Sequence, residues 1–323
     1  MLLALSIATF PAHTQDKSSE ATLAEASQLS AQVVTFFNTG DYDKALPPAK
    51  RALQLREAVL PPDHELVLAA LLNLAETETA LKKYGEAEKL IERLLRTHEQ
   101  KVGPEDAGVA IFLDKLGFLA FSQGDFRKSE ASYTRALAIR EKAFGKDDLE
   151  YAKSLFSLAE FYRFTGKSEK AEPLYKQAAI LRRKLLGRQH PDYLKTRDRF
   201  FCLAYQANDQ AKLKDFMLLL GDKPGDGAPD IVEGNVLNGR AISLPKPYYT
   251  LEAHRQRLQG TVVVRIMIDE SGKVIEAKDM CGGNPLLVKS SLASAREARF
   301  TPTLRAGQPV KVGGILTYHF VRM

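Results

Sequence analysis

At 323 residues, with 45% hydrophobic and 27% charged side chains, the chain is long enough for two folded domains and too apolar to be disordered throughout. Its formal net charge of +6 is uneven: 13 of the 46 Lys and Arg and 7 of the 40 Asp and Glu lie in residues 232–323, which leaves 33 of each in 1–231. Over that C-terminal stretch Arg255, Arg257, Arg296, Arg299 and Arg305 are interleaved with acids, and no nucleic-acid-binding motif accompanies them. A solvated basic face is expected there, and nucleic acid is not an expected partner.

Leu2 to Phe10 is an apolar run ended by Pro11. It is short of the roughly 20 residues a spanning helix needs, so no membrane-spanning segment is expected in the chain as it stands. The run suits the apolar stretch of a secretory signal, with Ala12-His13-Thr14 as the cleavage site, and residues 1–14 are assigned to it. Cys202 and Cys281 fall in different expected domains and are read as small core or surface residues rather than a disulfide framework. Neither a Cys-x-x-Cys pair nor a His cluster suggests metal.

From residue 22 to 220 a 42-residue period governs the chain. Tyr42, Tyr84 and Phe126 recur at that spacing, followed by Ala45, Ala87, Ser129 and Ala171, then Leu53, Leu95, Leu137 and Ala179. Ahead of them run Leu71, Leu113 and Leu155, then Leu74, Leu116 and Leu158, then the small residues Ala75, Gly117 and Ala159. Leu71, Leu74 and Ala75 stand at i, i+3 and i+4, one face of a helix, and the small column lets a partner helix approach closely. Turn signals such as Gly124-Asp125 and Gly103-Pro104-Glu105 divide each unit into two helices. Each unit is a helical hairpin that needs a neighbour to bury its apolar face. His64 and His190 stand at helix starts and are read as capping neighbours. Arg197, Phe200 and Phe201 replace the usual residues of a fifth, degenerate unit, with Asn208-Asp209-Gln210 at its turn, and that unit is read as a cap.

These hairpins resemble tetratricopeptide repeats, and the long period with Ala138-Ile139-Arg140-Glu141 is similar to the kinesin-light-chain variety. The resemblance implies a concave surface that binds proteins or extended peptides, lined on the inner helices by Asn73, Lys115 and Ser157.

Five glycines, with Pro224 and Pro229, mark residues 221–239 as a linker. Beyond it a period of two takes over. Val262, Val264, Ile266 and Ile268 face one way and Thr261, Val263, Arg265 and Met267 the other, and Asp269-Glu270-Ser271-Gly272 turns the chain into a strand over Val274–Asp279. Asn284 is placed to cap a helix that has Pro285 at its first position. A last strand is expected from Ile315 to Val321.

That order of elements, with Arg299-Phe300-Thr301-Pro302 and Gly307-Gln308-Pro309-Val310, resembles the C-terminal domain of TonB over roughly residues 234–323. The implied fold for 240–323 is a small α+β domain, an antiparallel sheet with helices on one face, after the α array of 22–220. By the same resemblance, a short segment of a TonB-dependent outer-membrane receptor adds as a strand beside Gly314, Ile315, Leu316, Thr317, Tyr318, His319 and Phe320. TonB's membrane helix and proline-rich spacer have no counterpart in the sequence, so the resemblance extends to docking rather than to energy transduction. A longer start upstream of Met1 that completed the apolar run would instead make a transducer for transmembrane transport, and a scaffold in envelope assembly is the third expectation.

Catalytic patterns are absent from the sequence: no His-Glu-x-x-His, no Gly-x-Ser-x-Gly, no glycine-rich dinucleotide loop. Gly166-Lys167-Ser168 imitates the end of a phosphate loop, but Phe161 stands where the required glycine belongs and the site joins two helices. The expected protein is a non-enzymatic, cofactor-free periplasmic adaptor with protein partners.

Overall fold

The structure, a computed structural model, describes residues 17–207, 215–216, 219–220, 240–281 and 283–321. The expected signal segment, the turn at 208–210 and the linker 221–239 lie outside the described residues. Two compact units part between Lys167 and Ser168.

The first unit holds α1 (Lys17–Asn38), α2 (Tyr42–Val59), α3 (Glu65–Ala80), α4 (Tyr84–Val102), α5 (Val109–Gln123), α6 (Phe126–Phe144) and α7 (Leu149–Phe164). Consecutive helices pack on one another. The apolar columns read from the sequence form the core: Leu71, Leu113 and Leu155, Leu74, Leu116 and Leu158 are all buried. So are Ala75, Gly117 and Ala159. Gly124 closes α5 in the left-handed region at φ +83, and Lys82 takes that conformation at φ +60 where the second unit has no glycine. His64 caps α3, its Nδ1 accepting from Leu66 N at 3.2 Å.

A polar column accompanies the apolar ones. Arg56, His98 and Arg140 stand 42 residues apart, each reaching from one hairpin into the start of the next. Arg56 Nη1 donates to Leu66 O at 2.9 Å, His98 Nε2 meets Asp106 Oδ1 at 3.0 Å, and Arg140 Nη1 donates to Ser154 Oγ at 2.5 Å. Buried guanidinium groups without such partners would be strongly unfavourable. Outside, acids pair with bases on the next even-numbered helix, as in Glu92–Lys128 at 2.6 Å and Glu99–Arg135 at 2.5 Å.

The second unit opens with the hairpin α8 (Ser168–Leu186) and α9 (Pro191–Gln206). Arg182 continues the cation column, donating to Thr196 Oγ1 at 2.6 Å and to Asp192 O at 3.2 Å. His190 caps α9 through Nδ1, which accepts from Asp192 N at 3.2 Å. After it come β1 (Ala241–Ser243), α10 (Leu251–Arg255), β2 (Gly260–Ile268), β3 (Val274–Asp279), α11 (Pro285–Glu297), β4 (Arg299–Phe300), β5 (Leu304–Arg305), β6 (Gln308–Pro309) and β7 (Val312–Phe320). The central sheet is antiparallel in the order β3-β2-β7, with β1-β4 and β5-β6 as short two-stranded pairs. The last strand therefore begins three residues before Ile315.

Val262, Val264, Ile266 and Ile268 bury one sheet face against Ala253 of α10 and Leu287 and Ala295 of α11. Asn284 caps α11, its Oδ1 accepting from Leu286 N at 3.0 Å. Gly272, at φ +85, sits so close to β4 that a Cβ would lie 1.8 Å from Phe300 O.

The small column makes a direct prediction. A Cβ on Gly117 would stand 2.8 Å from the Tyr133 ring, and Gly117 O accepts from Ser129 Oγ at 2.8 Å. Gly117→Leu should lower the thermal midpoint of the whole chain, at a cost of about 1–3 kcal/mol for overpacking. An unchanged melting curve would show that α5 and α6 do not approach as described.

Candidate functional site

A three-stranded sheet has two edges, and here they differ in chemistry. Met280 donates its N–H to Val263 O at 3.0 Å, which turns the backbone groups of Val263 toward β3. Alternation along β2 then turns Val262, Val264 and Ile266 toward β7. Their partners across the register are Tyr318, Leu316 and Gly314, which direct N–H and C=O inward. Gly313, Ile315, Thr317 and His319 direct theirs outward, away from β2. Among the described residues no strand pairs with that side of β7.

The edge is nine residues long and carries no charged side chain. Thr317 and His319 are exposed, with His319 Nδ1 3.0 Å from Thr261 Oγ1. Leu316 and Tyr318 lean on the sheet core, and burial pushes the Tyr318 phenol up to about 12. The β3 edge is shorter and charged. Glu276 pairs with Lys278, whose hydrogen bond holds the Glu276 carboxyl below its ordinary range, and a register shift interrupts the ladder between Met267 and Ile268. Charges and bulges are what discourage strand addition, and β7 has neither a charged side chain nor a register shift.

The sheet face opposite the core is not bare. Asp198, Arg199 and Cys202 on α9 all reach the sheet domain. Arg199 Nη1 donates to Met280 O at 2.8 Å, and Asp198 Oδ2 lies 3.3 Å from Arg265 Nη1. Cys202 and Cys281 are joined in a disulfide with Cα atoms 5.4 Å apart, and both residues are buried. This corrects the reading of two unrelated cysteines. They are 79 residues apart in sequence, so spacing carried no sign that α9 folds back on the sheet.

The expected groove residues of the helical array have separate surroundings. Asn73 is buried, Ser157 is half-buried, and Lys115 is ion-paired with Glu76. Sequence reasoning passed over the exposed apolar residues beside them, Ile111, Phe118 and Phe164, although they stand on the same inner helices α5 and α7. Their signal was legible: large apolar side chains outside the Leu columns. Among the described residues no cluster of His, Cys, Asp or Glu could hold a metal ion, and no helix is long and apolar enough to cross a membrane.

Residues 25–100 and 108–184 match the tetratricopeptide repeat model, and residues 245–321 match the model of the Gram-negative bacterial TonB protein C-terminal family. The chain carries tetratricopeptide repeats and a TonB C-terminal domain. A search of curated proteins finds no match. Among solved structures, the nearly identical TPR-like repeats of a putative kinesin light chain from Podosopora anserina align at 15% identity and TM-score 0.52, covering 64% of this chain and 96% of that one. BtubC (BKLC) from P. vanneervenii aligns at 20% identity and TM-score 0.52, covering 63% of this chain and 87% of that one. At those identities the likeness is one of fold. Both families are typically non-catalytic protein-interaction modules, and the TonB domain points to an envelope protein of a Gram-negative cell with protein partners.

Because the disulfide closes a long loop and joins α9 to the end of β3, its loss should be felt in the TonB domain. Cys202→Ser with Cys281→Ser is expected to cost about 2–4 kcal/mol, read as an earlier denaturant midpoint for near-ultraviolet signals. An identical midpoint with and without the bridge would show that the bridge adds nothing to stability.

Proposed function

We propose that this protein is a non-enzymatic periplasmic adaptor of the TonB type. Its C-terminal domain takes an extended segment of an envelope partner, a TonB-dependent outer-membrane receptor being the first candidate, by strand addition at β7. Its helical repeats hold a second protein. The observation that carries this reading is the uncharged, unpaired edge of β7, with the amides of Gly313, Ile315, Thr317 and His319 directed outward. Main-chain hydrogen bonds of an added strand supply affinity, and alternate side chains supply selectivity.

Two features support the compartment. The Cys202–Cys281 disulfide is the kind of bond that forms and persists in an oxidising space such as the periplasm. The apolar run Leu2–Phe10 reads as a leader into that space. The sequence patterns of hydrolases, zinc proteases and dinucleotide enzymes are missing, and the adaptor requires no cofactor.

Proline scanning tests the docking strand. Thr317→Pro and His319→Pro each remove an outward N–H, which an edge strand tolerates. Both should keep the wild-type melting curve and weaken binding of a receptor's N-terminal peptide by about tenfold or more, the size of a lost hydrogen bond with its steric clash. Leu316→Pro removes an inward donor to β2 and should unfold the domain. Wild-type binding by both edge variants, or unfolding of both, would remove β7 as the docking edge.

A further inference from the structure

A pocket of about 270 Å³ opens between α3, α4 and α5, beside the exposed ring of Phe118. Three residues that line it, Thr79 on α3, Ile91 on α4 and Leu119 on α5, have aromatic counterparts 42 residues on: Phe121, Tyr133 and Phe161. There the rings pack on one another, with Phe121 and Tyr133 lying 6.3 and 6.2 Å from Phe161 between centroids. Thr79, Ile91 and Leu119 are smaller than those rings, and the pocket is the space between them. Phe37 stands 42 residues before Thr79, so the repeat carries an aromatic residue at this position on either side of it. The charges around the pocket are paired among themselves. Lys115 is engaged with Glu76, and Arg140 Nη1 lies 2.6 Å from Asp114 Oδ2. The Thr79 hydroxyl is also spent, Oγ1 donating to Ala75 O at 2.7 Å.

We propose that this pocket is a subsite for the aromatic ring of a phenylalanine or tyrosine in an extended partner segment lying across the inner helices. It rests on the reading of the repeats as a protein-binding surface and names the chemistry of one position in the partner. A partner's ring supplies from outside the packing that Phe121, Tyr133 and Phe161 supply from within the chain. Ile91 and Leu119 give it a buried apolar floor. Phe118, already edge-on to Tyr84 at 6.4 Å between centroids, gives it a second ring at the rim. A neutral occupant leaves every ion pair around the pocket intact. A charged one would be desolvated without a counter-charge of its own. A leucine side chain would bury apolar area but forgo the pairing of rings.

The test uses the full chain and three acetylated, amidated pentapeptides, four alanines around a central phenylalanine, leucine or arginine, titrated by ligand-observed NMR. The phenylalanine peptide should bind about three- to tenfold tighter than the leucine peptide, the size of one aromatic pair, and the arginine peptide should bind weakest. Thr79→Phe copies the residue found 42 positions to either side and fills the pocket from within. It should keep or raise the thermal midpoint and abolish binding of the phenylalanine peptide. Phe118→Ala, at an exposed position, should leave the midpoint unchanged and weaken that binding severalfold, and it carries the test should Thr79→Phe fold poorly. Equal binding of the leucine peptide overturns the aromatic assignment, and no binding of the phenylalanine peptide overturns the subsite. Phenylalanine-peptide binding that survives both Phe118→Ala and a folded Thr79→Phe also overturns the subsite, yet leaves the repeats as a protein-binding surface. Binding of a receptor peptide at β7 is a separate measurement that neither variant should change.

Discussion

A helical hairpin holds together only when its two helices approach closely, and the first unit depends on that approach. In the α5–α6 hairpin Gly117 meets the Tyr133 ring, with no space for even a methyl group. Ala75 and Ala159 hold the same position in the neighbouring units and are equally buried. A small residue every 42 positions is thus a spacing device. It sets how near the helices come, and the Leu columns fill what remains.

Spacing alone does not fix one helix on the next, and the cation column adds directional bonds to oxygens at the start of the following helix. Arg56 reaches the Leu66 carbonyl, Arg140 the Ser154 hydroxyl, and Arg182 the Thr196 hydroxyl and the Asp192 carbonyl. His98 does the same work through Asp106, whose carboxylate also accepts from Gly108 N at 2.8 Å. The three arginines are buried and His98 is half-buried, and each ties its helix to the one that follows in its own unit. The outer acid–base pairs are exposed and contribute less.

In the TonB domain the same question of uncovered surface has a different answer. One face of the sheet is closed by α10 and α11 around Phe300 and Leu287. The other meets α9 through Asp198, Arg199 and the disulfide. With α9 held against the second face, the sheet edges become the places where a partner can add backbone hydrogen bonds. Glu276 and Lys278 guard one edge, while β7 presents glycine, isoleucine, threonine and histidine.

Much of this was legible in the sequence because it is local or periodic. The 42-residue repeat gave the hairpins, the period of two gave β2 to within a residue and β3 at both ends, and Asn284-Pro285 gave the start of α11. Such features depend on neighbours a few residues away, whose geometry the side chains themselves dictate. Which amides of β7 point outward depends instead on the bond from Met280 to Val263, and hence on how three strands are ordered. The pairing of Cys202 with Cys281 depends on α9 folding back across 79 residues, and the cavity beside Phe118 on side chains from three helices. Sequence determined the elements and the two families they belong to. Tertiary structure decided which surfaces stay open, because burial is a property of what packs against a residue and not of the residue.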